Sequence, residues 1–148
     1  MEYVHINPKN RTITMKDTGF PLYKIRESVR FSFYEDLYIL SEVLNGVKYL
    51  HDKGIFHNDI HEGNIILQKD GGVKIIDFGL SGKVIPRLGD NNNAIKFRMD
   101  EFQLRRVLMQ ILQRHPEIEE SGNSTEKQHY ALIKILLKAT RTSSCIQA

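Results

Sequence analysis

A chain of 148 residues is the usual size of one domain, and 41% apolar residues suffice for a single core. The formal charge of +3 comes from 21 basic and 18 acidic residues spread along the sequence, so the chain lacks the clustered basic footprint of a nucleic-acid binder. One cysteine, Cys145, excludes an internal disulfide framework and a zinc finger, and no apolar run is long enough to cross a bilayer.

In chain order, Tyr3 to Ile6 and Thr12 to Met15 read as extended runs around the turn-forming Asn7-Pro8-Lys9-Asn10, which predicts a β-hairpin. From Asp36 to His51, the residues Leu37, Leu40, Val43, Leu44, Val47 and Leu50 recur at three- and four-residue steps, which predicts a helix with one apolar face. Ile65 to Leu67 and Val73 to Ile76 are β-rich runs joined through Asp70-Gly71, a pair suited to a tight hairpin turn. The stretch from Leu80 to Met99 holds Gly82, Pro86, Gly89 and the run Asp90-Asn91-Asn92-Asn93, and is expected to be loop. Asp100 then reads as the cap of a second helix through Leu104, Val107, Leu108, Ile111 and Leu112, ended by Pro116. After a polar break from Glu120 to Thr125, Tyr130, Ile133, Leu136 and Leu137 predict a last helix.

The chemistry concentrates between the first helix and the second hairpin. His57, Asp59 and Asn64 lie on one short segment, and Asp77-Phe78-Gly79 follows the hairpin's second strand. Phosphoryl transfer needs a carboxylate to orient a hydroxyl and accept its proton, with oxygen ligands for magnesium. Asp59, Asn64 and Asp77 are that set.

His-x-Asp-x-x-x-x-Asn followed by a hairpin and Asp-Phe-Gly resembles the catalytic and metal loops of eukaryotic-like protein kinases, as does Leu50-His51-Asp52-Lys53-Gly54-Ile55 before it. The resemblance runs from about Asp36 to Leu112. It implies an α+β fold, a kinase-like C-lobe that is mostly helical with short β-hairpins, spanning residues 31–148 behind a hinge-like segment and hairpin over residues 1–30. It makes Asp59 the catalytic base, with His57 beside it in the catalytic loop and stacked on Phe78. Asn64 and Asp77 become magnesium ligands that also hold ATP, Ile66 the floor for adenine, and Asp100 the buried aspartate that bonds back to the catalytic loop. The cofactors implied are ATP and Mg2+. The partners implied are a protein substrate or a partner kinase, with no nucleic acid and no membrane insertion, in the cytoplasm.

The sequence also departs from that family. No Gly-x-Gly-x-x-Gly and no Val-Ala-Ile-Lys-like strand occurs among the 56 residues before His57, so an N-lobe is expected to be absent or not included; Met1-Glu2-Tyr3-Val4 resembles the hinge between lobes. Asn58 stands where regulated kinases carry an arginine that meets a loop phosphate, and Ser81 is the sole hydroxyl from Leu80 to Met99. Both point to a minimal kinase not switched by loop phosphorylation, of the kind found in viruses and bacterial effectors. His61 stands where a lysine usually meets the γ-phosphate, and the Asn58-containing loop also resembles choline kinases and aminoglycoside phosphotransferases. Three readings follow: transfer to protein serine or threonine, a regulatory kinase mimic, and transfer to a small molecule. Cys145-Ile146-Gln147-Ala148 has the outline of a prenylation box, but Gln147 sits where an aliphatic residue belongs. His5, His115 and His129 are expected at the surface, and Arg105 and Arg106 on a solvated helix face.

Overall fold

The computed structural model describes residues 3–10, 12–15, 19–84 and 90–143. The chain order is β1 (Tyr3–Asn7), β2 (Thr12–Met15), β3 (Phe20–Pro21), α1 (Leu22–Arg26), α2 (Phe33–Asp52), β4 (Ile55–Phe56), β5 (Ile65–Leu67), β6 (Val73–Ile75), β7 (Gly82–Lys83), α3 (Asp90–Arg114), α4 (Glu117–Ser121) and α5 (Ser124–Ser143). The fold is therefore α+β, with most residues helical and the strands gathered in small antiparallel sheets. The prenylation-like tail lies outside the described residues, and so do Met1 and Glu2 of the hinge-like segment.

Both predicted hairpins form. β1 pairs antiparallel with β2, and the Asn7 side chain accepts the backbone N–H groups of Lys9 and Asn10 at 3.1 and 3.3 Å to hold the turn. β5 pairs with β6 in the register Ile65 to Ile75, Ile66 to Lys74 and Leu67 to Val73. Gly71 takes φ 88° in that turn, a conformation only glycine adopts without strain. β3 adds to the other edge of β5, and β4 pairs with β7.

α2 starts three residues before the periodicity predicts. Ser32 forms a capping box with Glu35, in which the Ser32 Oγ accepts the Glu35 N–H at 3.3 Å and the Glu35 carboxylate accepts the Ser32 N–H at 2.7 Å. Two donors at the helix start are thereby satisfied, and Phe33 becomes its first helical residue.

The core lies between α2 and α3. Ile39, Leu40, Val43 and Val47 meet Leu104, Val107 and Ile111, with Ile60 and Ile65 closing the contact from the loop and the hairpin. Burying side chains of this size stabilises by roughly 1.5–3 kcal/mol each. Gly46 allows β6 to approach α2, because a Cβ there would stand 3.3 Å from Ile75 Cδ1. A second cluster joins Phe33, Leu112, Ile118 and Tyr130.

The third helical stretch corrects the sequence reading. α3 begins at Asp90, so the expected loop ends ten residues earlier and Asp100 sits inside the helix instead of capping it. The asparagine run is poor in intrinsic helix propensity, but Phe97 fixes this part of the helix in tertiary contact. Its ring lies 4.6 Å from His51 and 6.3 Å from Phe56, both edge-on. The polar break expected from Glu120 to Thr125 is shorter: α4 occupies its start, and α5 begins at Ser124.

Candidate active site

The site is built on the segment between β4 and β5 and on the open end of the β5–β6 hairpin. The segment's shape is set by Asp100, which is fully buried. Its carboxylate accepts the backbone N–H of His57 at 2.8 Å and of Asn58 at 2.6 Å, and His51 Nε2 lies 2.7 Å away. The bond back to the loop implied by the resemblance is therefore present, although the aspartate reaches it from mid-helix. One turn further on, Gln103 accepts the Ile60 N–H and donates to the Asn58 carbonyl, both at 2.8 Å. The sequence reading missed Gln103; the available signal was its place three residues after Asp100, on the same helix face.

Held this way, Asn58 takes φ 68°, a left-handed conformation that asparagine tolerates better than most residues. His57 is fully buried, and its Nδ1 accepts the Asp59 N–H at 3.2 Å. Nε2 then carries the ring proton and donates to the Ile76 carbonyl at 3.1 Å. The ring also meets Phe78 edge-on at 4.9 Å, the stacking that the resemblance implies. One histidine thus ties the Asp59 segment to the hairpin's far strand.

Asn64 is buried, and its side-chain nitrogen donates to both the carbonyl and the Oδ2 of Asp59 at 2.9 Å. Those two bonds turn the amide nitrogen toward Asp59 and leave the amide oxygen on the other side. The Asn64 carbonyl accepts the Ile76 N–H at 2.9 Å, extending the β5–β6 ladder by one pair and placing Asp77 directly after it. Asp77 has φ 65°; its Oδ1 accepts the Gly79 N–H at 3.1 Å, and the residue is exposed. Asp59 and Asn64 are therefore bonded directly, and Asp77 follows the strand residue that is bonded to the Asn64 carbonyl. Ile66 is separate in character: it is buried in β5, opposite Pro21 and Lys74.

An amide oxygen and a carboxylate suit magnesium, which binds through one or two protein oxygens and completes its shell with phosphates and water. Among the described residues no three His, Cys, Asp or Glu side chains gather into an all-protein metal cage. Asn64 and Asp77 carry oxygen donors of the kind such an ion takes.

His61 lies beside Asp59, with its Nε2 3.6 Å from Asp59 Oδ2, while its Nδ1 accepts the Gly63 N–H at 3.0 Å. Its neighbour Glu62 belongs to a second group of charges. Arg114 grips Glu62 with two bonds, of 2.7 and 2.9 Å, and Arg26 Nε lies 3.0 Å from it but out of line for a hydrogen bond. Arg26 also pairs with buried Asp36, which in turn meets His115 Nε2 at 2.8 Å. His115 is 2% exposed, which corrects the expectation of a surface residue; the two carboxylates at its ring nitrogens draw it inward. His129 is exposed as expected, edge-on to Tyr34. Arg105 is half-buried and donates to the Leu137 carbonyl at 2.8 Å, so it fastens α3 to α5, whereas Arg106 stays exposed.

A hairpin whose far strand runs into Asp-Phe-Gly, joined through a buried histidine to an Asp–Asn loop, is the arrangement of the kinase class of folds. The family model described as protein kinase domain matches residues 3–92, well over half of this chain, and the chain belongs to that family. It is similar to human protein kinase C delta type, 37% identical over 62 residues. It is also similar to mouse sperm motility kinase 3A, 42% identical over 69 residues, and to mitogen-activated protein kinase kinase kinase 1 of Arabidopsis thaliana, 46% identical over 59 residues. These alignments cover 42%, 46% and 40% of this chain but only 9%, 14% and 9% of the relatives, so the chain spans a small part of their length.

Proposed function

We propose that this chain is the C-lobe half of a minimal protein kinase, transferring the γ-phosphate of ATP to serine or threonine hydroxyls of a protein substrate. The observation that carries this reading is the direct bond between Asn64 and Asp59, with the Asn64 backbone bonded to the strand that delivers Asp77. Asp59 orients the attacking hydroxyl and takes its proton as the new O–P bond forms and ADP leaves. The Asn64 oxygen and the Asp77 carboxylate would hold magnesium, which supplies charge neutralisation at the phosphates. His57 fixes the loop and does not touch the reacting atoms. In place of the arginine that would read a loop phosphate, Asn58 carries a neutral amide that donates to the Leu80 carbonyl while its backbone N–H goes to Asp100, which supports a kinase that works without that switch.

The experiment is incorporation of labelled phosphate from magnesium-ATP into a generic protein substrate. Transfer should fall by two orders of magnitude or more, roughly, in Asp77→Ala and in Asp59→Asn. Equal incorporation by both variants would overturn the reading. A second reading, a regulatory binding module, is favoured by Phe78 and Leu80, which leave apolar surface exposed beside the site at 41% and 63%. It predicts no transfer by any form and a stable complex with a partner kinase that Leu80→Asp disrupts.

A further inference from the structure

Away from the Asp59 rim, α1, the segment 27–32, the first turn of α2 and the end of α3 surround a cavity of about 320 Å³. Its lining includes Arg26, Arg30, Arg114 and His115, with Val29 and Phe31 as the apolar residues. Among the described residues the one carboxylate in the lining is Asp36, which is 1% exposed and already held between Arg26 and His115. Glu62 and Glu117 balance Arg26, Arg30 and Arg114 from outside the wall. The contacts to the three carboxylates use Nη2 and Nε of Arg26, Nη2 of Arg30 and both Nη of Arg114. Those five interactions draw on a minority of the roughly fifteen N–H donors that three guanidinium groups offer.

We propose that this cavity is a binding site for a phosphate dianion, either free or carried on a phosphorylated side chain. Three arginines suit a tetrahedral oxyanion better than a single carboxylate, because a guanidinium can present two parallel N–H groups to two phosphate oxygens and the contacts named above leave N–H donors on each. The first turn of α2 borders the cavity through Asp36. The volume lies at the low end for small-ligand sites and suits a phosphoryl group with a short stem lying against Val29 and Phe31. Arg26 is preset for the role, its guanidinium lying 5.1 Å above the Phe31 ring with its side chain 10% exposed. Arg30 stands at the mouth, 78% exposed, with half-exposed Glu117 at 3.2 Å.

The site also reaches the catalytic loop. Glu62 lies two residues before Asn64 and is held by Arg114 and Arg26, which both line the cavity. An anion that competes with Glu62 for these two cations alters the anchor of the loop that carries Asp59. Binding is independent of phosphate transfer, so it can be tested whether or not the chain turns over.

The test is a titration of the whole chain with sodium phosphate against sodium chloride at constant ionic strength, followed by amide chemical shifts and thermal unfolding; O-phosphoserine forms a second arm. Saturable shifts at residues 26–31, 114 and 115 with a rise in Tm are expected. Arg30→Ala should weaken them by about ten- to a hundredfold while leaving the unliganded Tm nearly unchanged, because Arg30 is exposed. Tighter binding of O-phosphoserine assigns the site to a phosphorylated side chain, and equal binding assigns it to the free ion. No saturable change, shifts confined to residues 57–64 and 77–79, or shifts unaltered by Arg30→Ala would overturn the proposal.

Discussion

Asp100 is where fold and site depend on a single side chain. Its carboxylate accepts two backbone N–H groups, from His57 and Asn58, and meets His51 Nε2, all with no access to water at the aspartate itself. Asp100→Ala leaves those two N–H groups without an acceptor, and each unsatisfied buried donor costs about 1–3 kcal/mol. His51 retains some exposure and can turn toward water, so it adds little. The sum is about 2–6 kcal/mol, a large fraction of the roughly 5–15 kcal/mol that holds an ordinary domain together. At about 2–4 °C per kcal/mol for a chain of this size, the melting temperature should fall by about 4–24 °C. Asp100→Asn keeps one carbonyl acceptor but points an N–H at a second N–H, so it should fall between wild type and Asp100→Ala. Thermal unfolding by circular dichroism measures the loss, and hydrogen exchange locates it at the His57 and Asn58 amides. An Asp100→Ala chain that melts within about 2 °C of wild type, with both amides still protected, would refute the reasoning.

Gln103→Leu removes the second clamp; it should lower stability by about 1–3 kcal/mol and raise exchange at the Ile60 amide, measured by urea unfolding and exchange together. Ile111→Ala empties a fully buried position between α2 and α3 and should cost about 2–5 kcal/mol with the urea m-value unchanged. For Glu35, the Ser32 backbone N–H, then the Ser32 hydroxyl, hold the carboxyl below its ordinary value of 4.5. Its folded form therefore binds a proton less readily than the unfolded chain, and its contribution is present above about pH 4.5 and lost as pH falls through the lower folded value. In melting curves against pH, the gap between wild type and Glu35→Gln should be widest above that pH and narrow on acidification; a gap that widens on acidification would contradict the capping box.

The sequence was most informative where short-range chemistry decides the outcome. Asp70-Gly71 between β-rich runs announces the β5–β6 hairpin, and the spacing of Leu40, Val43 and Val47 announces the buried face of α2. The motif residues His57, Asp59, Asn64 and Asp77 come together because the segment and the hairpin are neighbours in sequence. What stayed hidden depends on distant partners. The early part of α3 sets Phe97 against His51 and Phe56, contacts made in spite of the local preference of three asparagines. His115 is drawn inside by Asp36, 79 residues away, and Glu62 by Arg114, 52 residues away, and no local pattern announces such pairs. The clamp by Gln103 was hidden for a milder reason: an isolated glutamine on a helix reads as surface until the helix is known to face a loop of unpaired amides.

We propose above that Asn64 and Asp77 hold the metal of a nucleotide site, with Asp59 alongside. It can be tested without turnover by adding ATP with a trace of Mn2+ to the labelled chain and recording which amide signals broaden, since the paramagnetic ion marks its own position. Broadening is expected at the Asn64 side-chain amide and at residues 77–79, reversed by excess Mg2+ and lost in Asp77→Ala, with His115 unaffected. Signals at residues 64 and 77–79 that stay sharp in the wild-type chain at saturating nucleotide would contradict it.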